Sequence, residues 1–204
     1  MNTRFSSFTR RLLIVAVLGV FHTIGASVSS AQVTIYAKFL NGASPWNGES
    51  TAQGRTGWAE LDSISLGASI PVTIGSASGG AGVGKLVFDP IVISKVVDRL
   101  TPQIFANMAS GQALTGQTNG DLTIEFVKNV GATPTVFFRV EMKLVFFTST
   151  GSATADGDNT VHENIKMLCG AQRVTVVPIV GGTPQTPIVK SWSQVLNNST
   201  FAVQ

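Results

Sequence analysis

The chain has 204 residues, of which 44% are hydrophobic and 12% are charged. It carries 14 Lys and Arg against 11 Asp and Glu, but three of the arginines lie in an N-terminal segment that we predict to be removed, which leaves 11 charges of each sign. A formally neutral domain lacks the clustered positive charge that binding to nucleic acid or to an anionic membrane surface requires. We therefore expect neither as a partner of the mature chain.

The first predicted element is a signal peptide over residues 1–31. Arg4, Arg10 and Arg11 precede an apolar run over residues 12–20, and the small residues just before Gln32 permit cleavage there. The apolar run is much shorter than the ~20 residues of a membrane-spanning helix, which favours a cleaved leader over an anchor. We therefore expect an exported protein, secreted or periplasmic, with one domain over residues 32–204.

Apolar residues alternate with polar ones along much of the mature chain, which is the pattern of strands with one buried face. The pattern predicts strands over residues 33–39 and 122–127, and a long central strand over residues 136–147. Further along, the parity of the apolar positions reverses around Gly170, which predicts a β-bulge there. Pro90 predicts a kink or an edge position between two other strand segments.

One helix is predicted between Thr101 and Gly111. Thr101 is a candidate N-cap, Pro102 suits the first helical position, and Gly111 suits the end of the helix. Strands dominate the rest of the chain, and no repeated strand–helix–strand order is present. The predicted fold is therefore mainly β, an antiparallel β-barrel with one short α-helix.

Gly79, Gly84 and Lys85 match the beginning of a phosphate-binding loop. The next position is Leu86, however, where such a loop has a metal-binding Ser or Thr, and a strand rather than a helix is predicted to follow. We interpret the segment as a flexible glycine-rich loop and predict no phosphate site.

No catalytic, cofactor-binding or metal-binding residue is predicted. His162 is the only histidine of the predicted mature chain and has no nucleophile motif beside it, so we interpret it as a surface turn residue. Asp156, Asp158 and Glu163 lack the spacing of a calcium loop and are interpreted as a solvated acidic turn. Cys169, the only cysteine, cannot form an internal disulfide and is predicted to be buried. These observations predict a protein that is not an enzyme and needs no cofactor.

The stretch over residues 79–111 resembles a known family. A glycine-rich loop leads into a strand, the strand carries Lys95 and Asp98, and a Thr-Pro pair begins the helix. This order resembles the haemolysin-coregulated protein (Hcp) family, the tube subunit of bacterial type VI secretion systems. The Gly-Glu-Ser element at residues 48–50 also resembles the family, and the likeness extends over most of residues 33–192.

The resemblance implies a structural, self-assembling protein, in which six copies close head-to-tail into a ring and rings stack into a tube. It implies that the loop over residues 69–84 reaches a neighbouring ring, and that segments near residues 48–50 and 102–109 lie close to subunit contacts. The residues implied in ring stacking or subunit contact are Gly48, Glu49, Ser50, Ser69, Gly79, Gly80, Gly82, Gly84, Lys85, Pro102, Phe105 and Met108. The implied partners are further copies of the chain, small effector proteins in the lumen, and spike or sheath proteins.

Two features differ from the family. Its members are normally made without a leader, because the tube is assembled in the cytoplasm, and Leu66 stands where the family often has tryptophan. The predicted leader keeps a second hypothesis open: an exported monomeric binding module or adhesin built on the same barrel. The oligomeric state in solution distinguishes the two hypotheses.

Overall fold

The computed structural model describes residues 32–42, 44–74, 81–116, 120–154 and 157–204. The predicted signal peptide lies outside these ranges, and its removal stays a prediction. The described residues all belong to one compact unit.

Across the described ranges the chain forms 17 strands and one helix, and all of the strand pairs are antiparallel. In chain order the elements are β1 (Thr34–Asn41), β2 (Ser44–Pro45), β3 (Ala59–Leu61), β4 (Ser63–Ser65), β5 (Ala68–Ser69), β6 (Val72–Ile74), β7 (Ala81–Val83), β8 (Val87–Phe88), β9 (Ile91–Val96), α1 (Thr101–Ser110), β10 (Leu122–Val130), β11 (Thr133–Lys143), β12 (Phe146–Ala153), β13 (His162–Leu168), β14 (Ala171–Val176), β15 (Ile179–Val180), β16 (Thr183–Pro184) and β17 (Ile188–Ser193). The predicted mainly β architecture with one short helix is confirmed.

Two sheets enclose the core. The larger has seven strands in the order β17-β14-β11-β10-β1-β2, with β3 also paired to β1, and the smaller has four in the order β12-β13-β9-β4. Both sheets contribute fully buried apolar residues to one cluster, among them Ile124 and Met142 from the larger sheet and Ile93 and Ile165 from the smaller. Each such side chain contributes about 1.5–3 kcal/mol by leaving water, which makes this shared core the main source of stability.

The chain passes between the two sheets three times through very short connections. Asp62 alone separates β3 from β4, Leu144 and Val145 separate β11 from β12, and Cys169 and Gly170 separate β13 from β14. At such a passage the parity of the core-facing positions can change, because the chain continues in a different sheet. The reversed parity around Gly170 therefore reflects the passage from β13 in the smaller sheet to β14 in the larger, and the predicted bulge within one strand is wrong.

The predicted long strand over residues 136–147 is also wrong at its end, because the chain turns at Leu144. This residue adopts a left-handed backbone conformation with φ 55°, and its N–H donates to Asp121 Oδ2 at 2.6 Å. Burial raises the pKa of the Asp121 carboxyl group. Beyond the turn the parity reverses, so that Phe146 is 37% exposed while Phe147 is only 6% exposed.

The predicted helix is confirmed, with a different start. Gly111 ends α1 in the left-handed conformation (φ 65°), as expected for a residue without a side chain. The N-cap is Leu100, which makes no side-chain capping bond, so Thr101 is the first helical residue rather than the cap. The Thr101 hydroxyl instead donates to Glu163 Oε1 at 2.6 Å and so ties the helix to β13.

Candidate functional site

The described parts of the predicted loop, residues 69–74 and 81–84, belong to two short antiparallel strand pairs that form a ribbon. β5 pairs with β8 through Ser69 and Val87, and farther along β6 pairs with β7 through Thr73 and Gly82. Ser69, Gly82 and Lys85 are exposed, whereas Gly79 and Gly80 lie outside the described residues. Lys85 is followed by a short strand and not by a helix. A helix N-terminus that could bind phosphate is therefore not formed there.

The outer part of this ribbon leaves apolar side chains in water. Ile74 is 85% exposed, Val83 65% and Val72 52%. At its base Gly84 donates its N–H to Pro71 O at 2.8 Å, and a Cβ on Gly84 would lie only 2.5 Å from Pro71 Cγ, so glycine permits the close approach of the two strands. Exposed apolar residues that lie together mark surfaces that contact another molecule.

Residues 48–50 pair with the chain at residues 57 and 58, just before β3. Gly48 donates to Gly57 O at 2.7 Å and Ser50 donates to Trp58 O at 3.0 Å, which pairs the segment with the chain leading into β3. A Cβ on Gly48 would lie 2.6 Å from the carbonyl carbon of Trp58, so no larger residue fits. Ser50 is buried and Glu49 is exposed. Of this element, only Glu49 directs a side chain outward.

Lys95, Asp98 and Glu163 form a charged cluster between the two sheets and the start of α1. Lys95 on β9 is 1% exposed, and its Nζ lies 2.5 Å from Asp98 Oδ1 and 2.7 Å from Glu163 Oε1. Asp98 Oδ1 also accepts the N–H of Leu100 at 2.8 Å, beside the first turn of the helix. The cluster therefore fixes β9, β13 and α1 relative to one another.

This cluster corrects one prediction. Glu163 was expected in a solvated acidic turn, but it is 0% exposed and lies opposite Lys95 in the pairing of β13 with β9. Asp156 lies outside the described residues, and Asp158 is exposed. The sequence did carry a signal that the side chain of Glu163 faces the core, because Glu163 has the same parity along the strand as Ile165 and Met167, which are both fully buried.

The predicted contact residues of α1 divide between two faces. Phe105 is 60% exposed and Pro102 is also exposed, whereas Met108 is partly buried and packs against the core. The structure thus brings Pro102 and Phe105 to the surface and turns Met108 inward.

The outward face of the seven-stranded sheet carries paired charges that the sequence analysis missed. Glu125 accepts hydrogen bonds from Arg55 Nε at 2.9 Å and from Arg139 Nε at 2.8 Å. Glu141 accepts two from Arg173, at 2.7 and 2.5 Å, and these bonds raise the pKa of that guanidinium group. A groove of about 590 Å³ lies over these pairs. Alternation shows that such residues face outward, but only strand register decides which of them meet.

His162 opens β13 and is partly exposed, so it belongs to the surface as predicted but not to a turn. Its Nδ1 lies 2.8 Å from Asp62 Oδ2, and its Nε2 lies 3.0 Å from Thr160 Oγ1. The hydrogen bond to Asp62 raises the pKa of the imidazole. The histidine therefore belongs to a polar surface network.

Cys169 is buried as predicted, and burial raises the pKa of its thiol to about 11. Such a thiol stays protonated at neutral pH and is a poor nucleophile.

Within the described ranges, no group of three or more His, Cys, Asp or Glu residues is arranged to hold a metal ion. The part of the chain that the structure describes contains no helix long and apolar enough to span a bilayer.

Comparison with known proteins points to one family. Residues 36–170 match the family model described as "Type VI secretion system effector, Hcp". No curated protein matches the chain significantly.

Several solved structures share the fold. A type six secretion system protein of 21% sequence identity aligns with a TM-score of 0.73 over 83% of this chain and 100% of its own. Hcp1 from Salmonella typhimurium, of 17% identity, aligns with a TM-score of 0.63 over 82% of this chain and 99% of its own. Hcp1 from E. coli EAEC 042, of 16% identity, aligns with a TM-score of 0.61 over 81% and 99%.

Proposed function

This chain belongs to the Hcp family of the type VI secretion system, and from that premise we propose that six copies close head-to-tail into a ring and that rings stack into a tube. Hcp proteins are structural, non-enzymatic components of the secretion system. A head-to-tail ring uses heterologous contacts, so each subunit presents two different and complementary surfaces. The formally neutral mature chain allows copies to approach without net repulsion.

The observation that carries the proposal is the exposed apolar ribbon of β6 and β7 on an Hcp fold. Val72, Ile74 and Val83 lie in water in the isolated subunit. Burying them against a second ring removes about 25 cal/mol of unfavourable free energy for each Å² of apolar surface covered. We assign this ribbon to ring stacking, and Glu49, Pro102 and Phe105 to contacts within or near the ring.

We further propose that the chain is exported through its N-terminal leader and assembles outside the cytoplasm, in the periplasm or the medium. A leader over residues 1–31 separates this protein from tube subunits that assemble before secretion. The lumen of such a tube would carry small effector proteins, and spike or sheath proteins would contact its ends. Mass spectrometry of the exported protein tests the leader, because cleavage as proposed leaves Gln32 at the N-terminus.

Electron microscopy and light scattering of the protein purified after export test assembly directly. We expect annular particles with six times the mass of one chain, and stacks of them at higher concentration. Isolated particles of one chain at every concentration would overturn the ring and favour the exported monomeric binding module or adhesin.

A variant with Ile74→Asp and Val83→Asp tests the role of the ribbon. We expect single rings without stacks, because charged side chains resist transfer into an apolar contact. Val180→Asp is a matched control, since Val180 is 66% exposed and lies on another two-stranded ribbon, β15–β16. Stacks that persist in the ribbon variant would exclude the ribbon from stacking.

A further inference from the structure

We propose that the β17 edge of one subunit docks on the β3 edge of the next, with Lys190 entering an acidic pocket beside β3. The inference rests on the proposed ring and names the two surfaces that would close it. Its partner is a second copy of this chain.

The two edges lie at opposite ends of the larger sheet. β17 pairs only with β14, and β3 pairs only with β1, among the strands that the structure describes. On its other side, β17 contacts the C-terminal segment through an isolated bridge between Ser193 and Asn198 and a hydrogen bond from Ser191 Oγ to Ser199 O at 3.2 Å, both beyond Lys190. Because the edges are opposite and different, each copy can use one edge toward its predecessor and the other toward its successor. This is the geometry that a closed heterologous ring requires.

The β3 edge carries an acidic pocket of about 280 Å³. Its lining residues are Glu49, Ser50, Glu60, Asp62, Val96, Val97 and Asp98. All of the charged members are carboxylates. Asp98 is engaged by Lys95 and Asp62 by His162, and Glu49 lies at 3.5 Å from Arg99, whereas Glu60 makes no ion pair within the described ranges. The pocket is therefore anionic and incompletely neutralised.

The β17 edge offers the complementary cation. Lys190 is exposed and makes no ion pair with any described residue, and the two residues before it, Ile188 and Val189, are 58% and 48% exposed. A lysine places its aliphatic stem on apolar surface and its ammonium group in a polar site. Val96 and Val97, both more than a third exposed in the pocket wall, provide the apolar surface, and Glu60 provides the counter-charge.

Charge reversal tests the pairing in the full chain. We expect Lys190→Glu to raise the concentration of half-assembly by about tenfold or more, because like charges brought together in an interface are strongly unfavourable. Glu60→Lys should have a similar effect, and the double variant with both changes should assemble again. Lys166→Glu is the matched control, since Lys166 is an exposed lysine of β13, away from both edges. Urea unfolding of each variant shows whether the subunit itself remains intact.

The outcomes separate this inference from the proposed function. If the wild-type chain forms no rings, the proposed function fails. If wild-type rings form and Lys190→Glu assembles equally well, only the pairing is overturned. Rings lost in both single variants and not restored by the double variant would also overturn it.

A cysteine pair gives a second measurement that needs no charge reversal. Glu60→Cys combined with Lys190→Cys should yield covalent multimers with a short bis-maleimide reagent, because the two thiols replace the ends of a Lys–Glu contact too long for a disulfide and each cross-link joins two different copies. Glu60→Cys combined with Lys166→Cys should not, and the native Cys169 is buried and does not compete. Equal cross-linking of the two pairs would overturn the docking geometry.

Discussion

Lys95, Asp98 and Glu163 are charged side chains withdrawn from water, whereas Val72, Ile74 and Val83 are apolar side chains left in it. Both arrangements are unfavourable for a side chain taken alone. The Lys95 ammonium group pairs with one oxygen of each carboxylate inside the subunit, so the cluster contributes to folding. The apolar side chains are exposed to solvent in the isolated subunit, and their burial requires a second molecule. Substitutions in the two regions should therefore separate stability from assembly.

The largest expected effect is in the charged cluster. Lys95→Ala should lower the free energy of unfolding by about 3–5 kcal/mol, because it leaves buried carboxylates without their cation. Urea denaturation followed by circular dichroism measures this loss. Lys166→Ala, which removes an exposed lysine from the neighbouring strand β13, should change stability little. Equal unfolding midpoints for the two variants would show that the cluster does not hold the fold together.

An intermediate effect should distinguish two glycines that the family resemblance places at contacts. Gly48→Ala should destabilise the subunit by about 1–3 kcal/mol, because the new methyl group meets the backbone of Trp58. Gly82→Ala should change stability by less than about 0.5 kcal/mol, since a Cβ there has open space around it. Thermal unfolding of both variants gives the comparison. A Gly48→Ala protein as stable as Gly82→Ala would contradict the close approach of Gly48 to Trp58.

The smallest effect is expected for a pair of charges that remains in water. The pKa of His162 is raised above 6.5 by its hydrogen bond to Asp62, so the folded state binds the proton more tightly than the unfolded state does. The resulting stabilisation is fully present below pH 6.5 and is lost as the pH rises through the folded-state pKa. His162→Gln should therefore lower stability slightly in acid and not in alkali. A difference from wild type that grows with pH would contradict this sign.

The sequence predicted those parts of the fold in which local pattern and tertiary structure agree. The alternation over residues 33–39 and 122–127 gave β1 and β10, and the Thr-Pro and glycine signals gave α1. It did not predict the change of sheet at Leu144. The reason is physical: Leu144, Val145, Phe146 and Phe147 are all apolar, so their alternation fits either parity, and only tertiary packing selects Val145 and Phe147 for the core.

The candidate site was less predictable because contacts across sheets decide it. Lys95 and Asp98 were noted as part of a resemblance, but their partner Glu163 lies on a strand far along the chain. The parity of Glu163 indicates an inward side chain, but only the pairing of β13 with β9 in register places it opposite Lys95. The paired charges of the outer sheet face depend on register in the same way.

The three passages between the sheets have a mechanical consequence. With only one or two residues at each corner, the sheets cannot slide past each other without breaking backbone hydrogen bonds such as that from Gly170 N to Lys143 O at 2.8 Å. The subunit should thus act as a stiff block under load. Any bending or stretching of an assembly built from it would be concentrated at the joints between neighbouring copies.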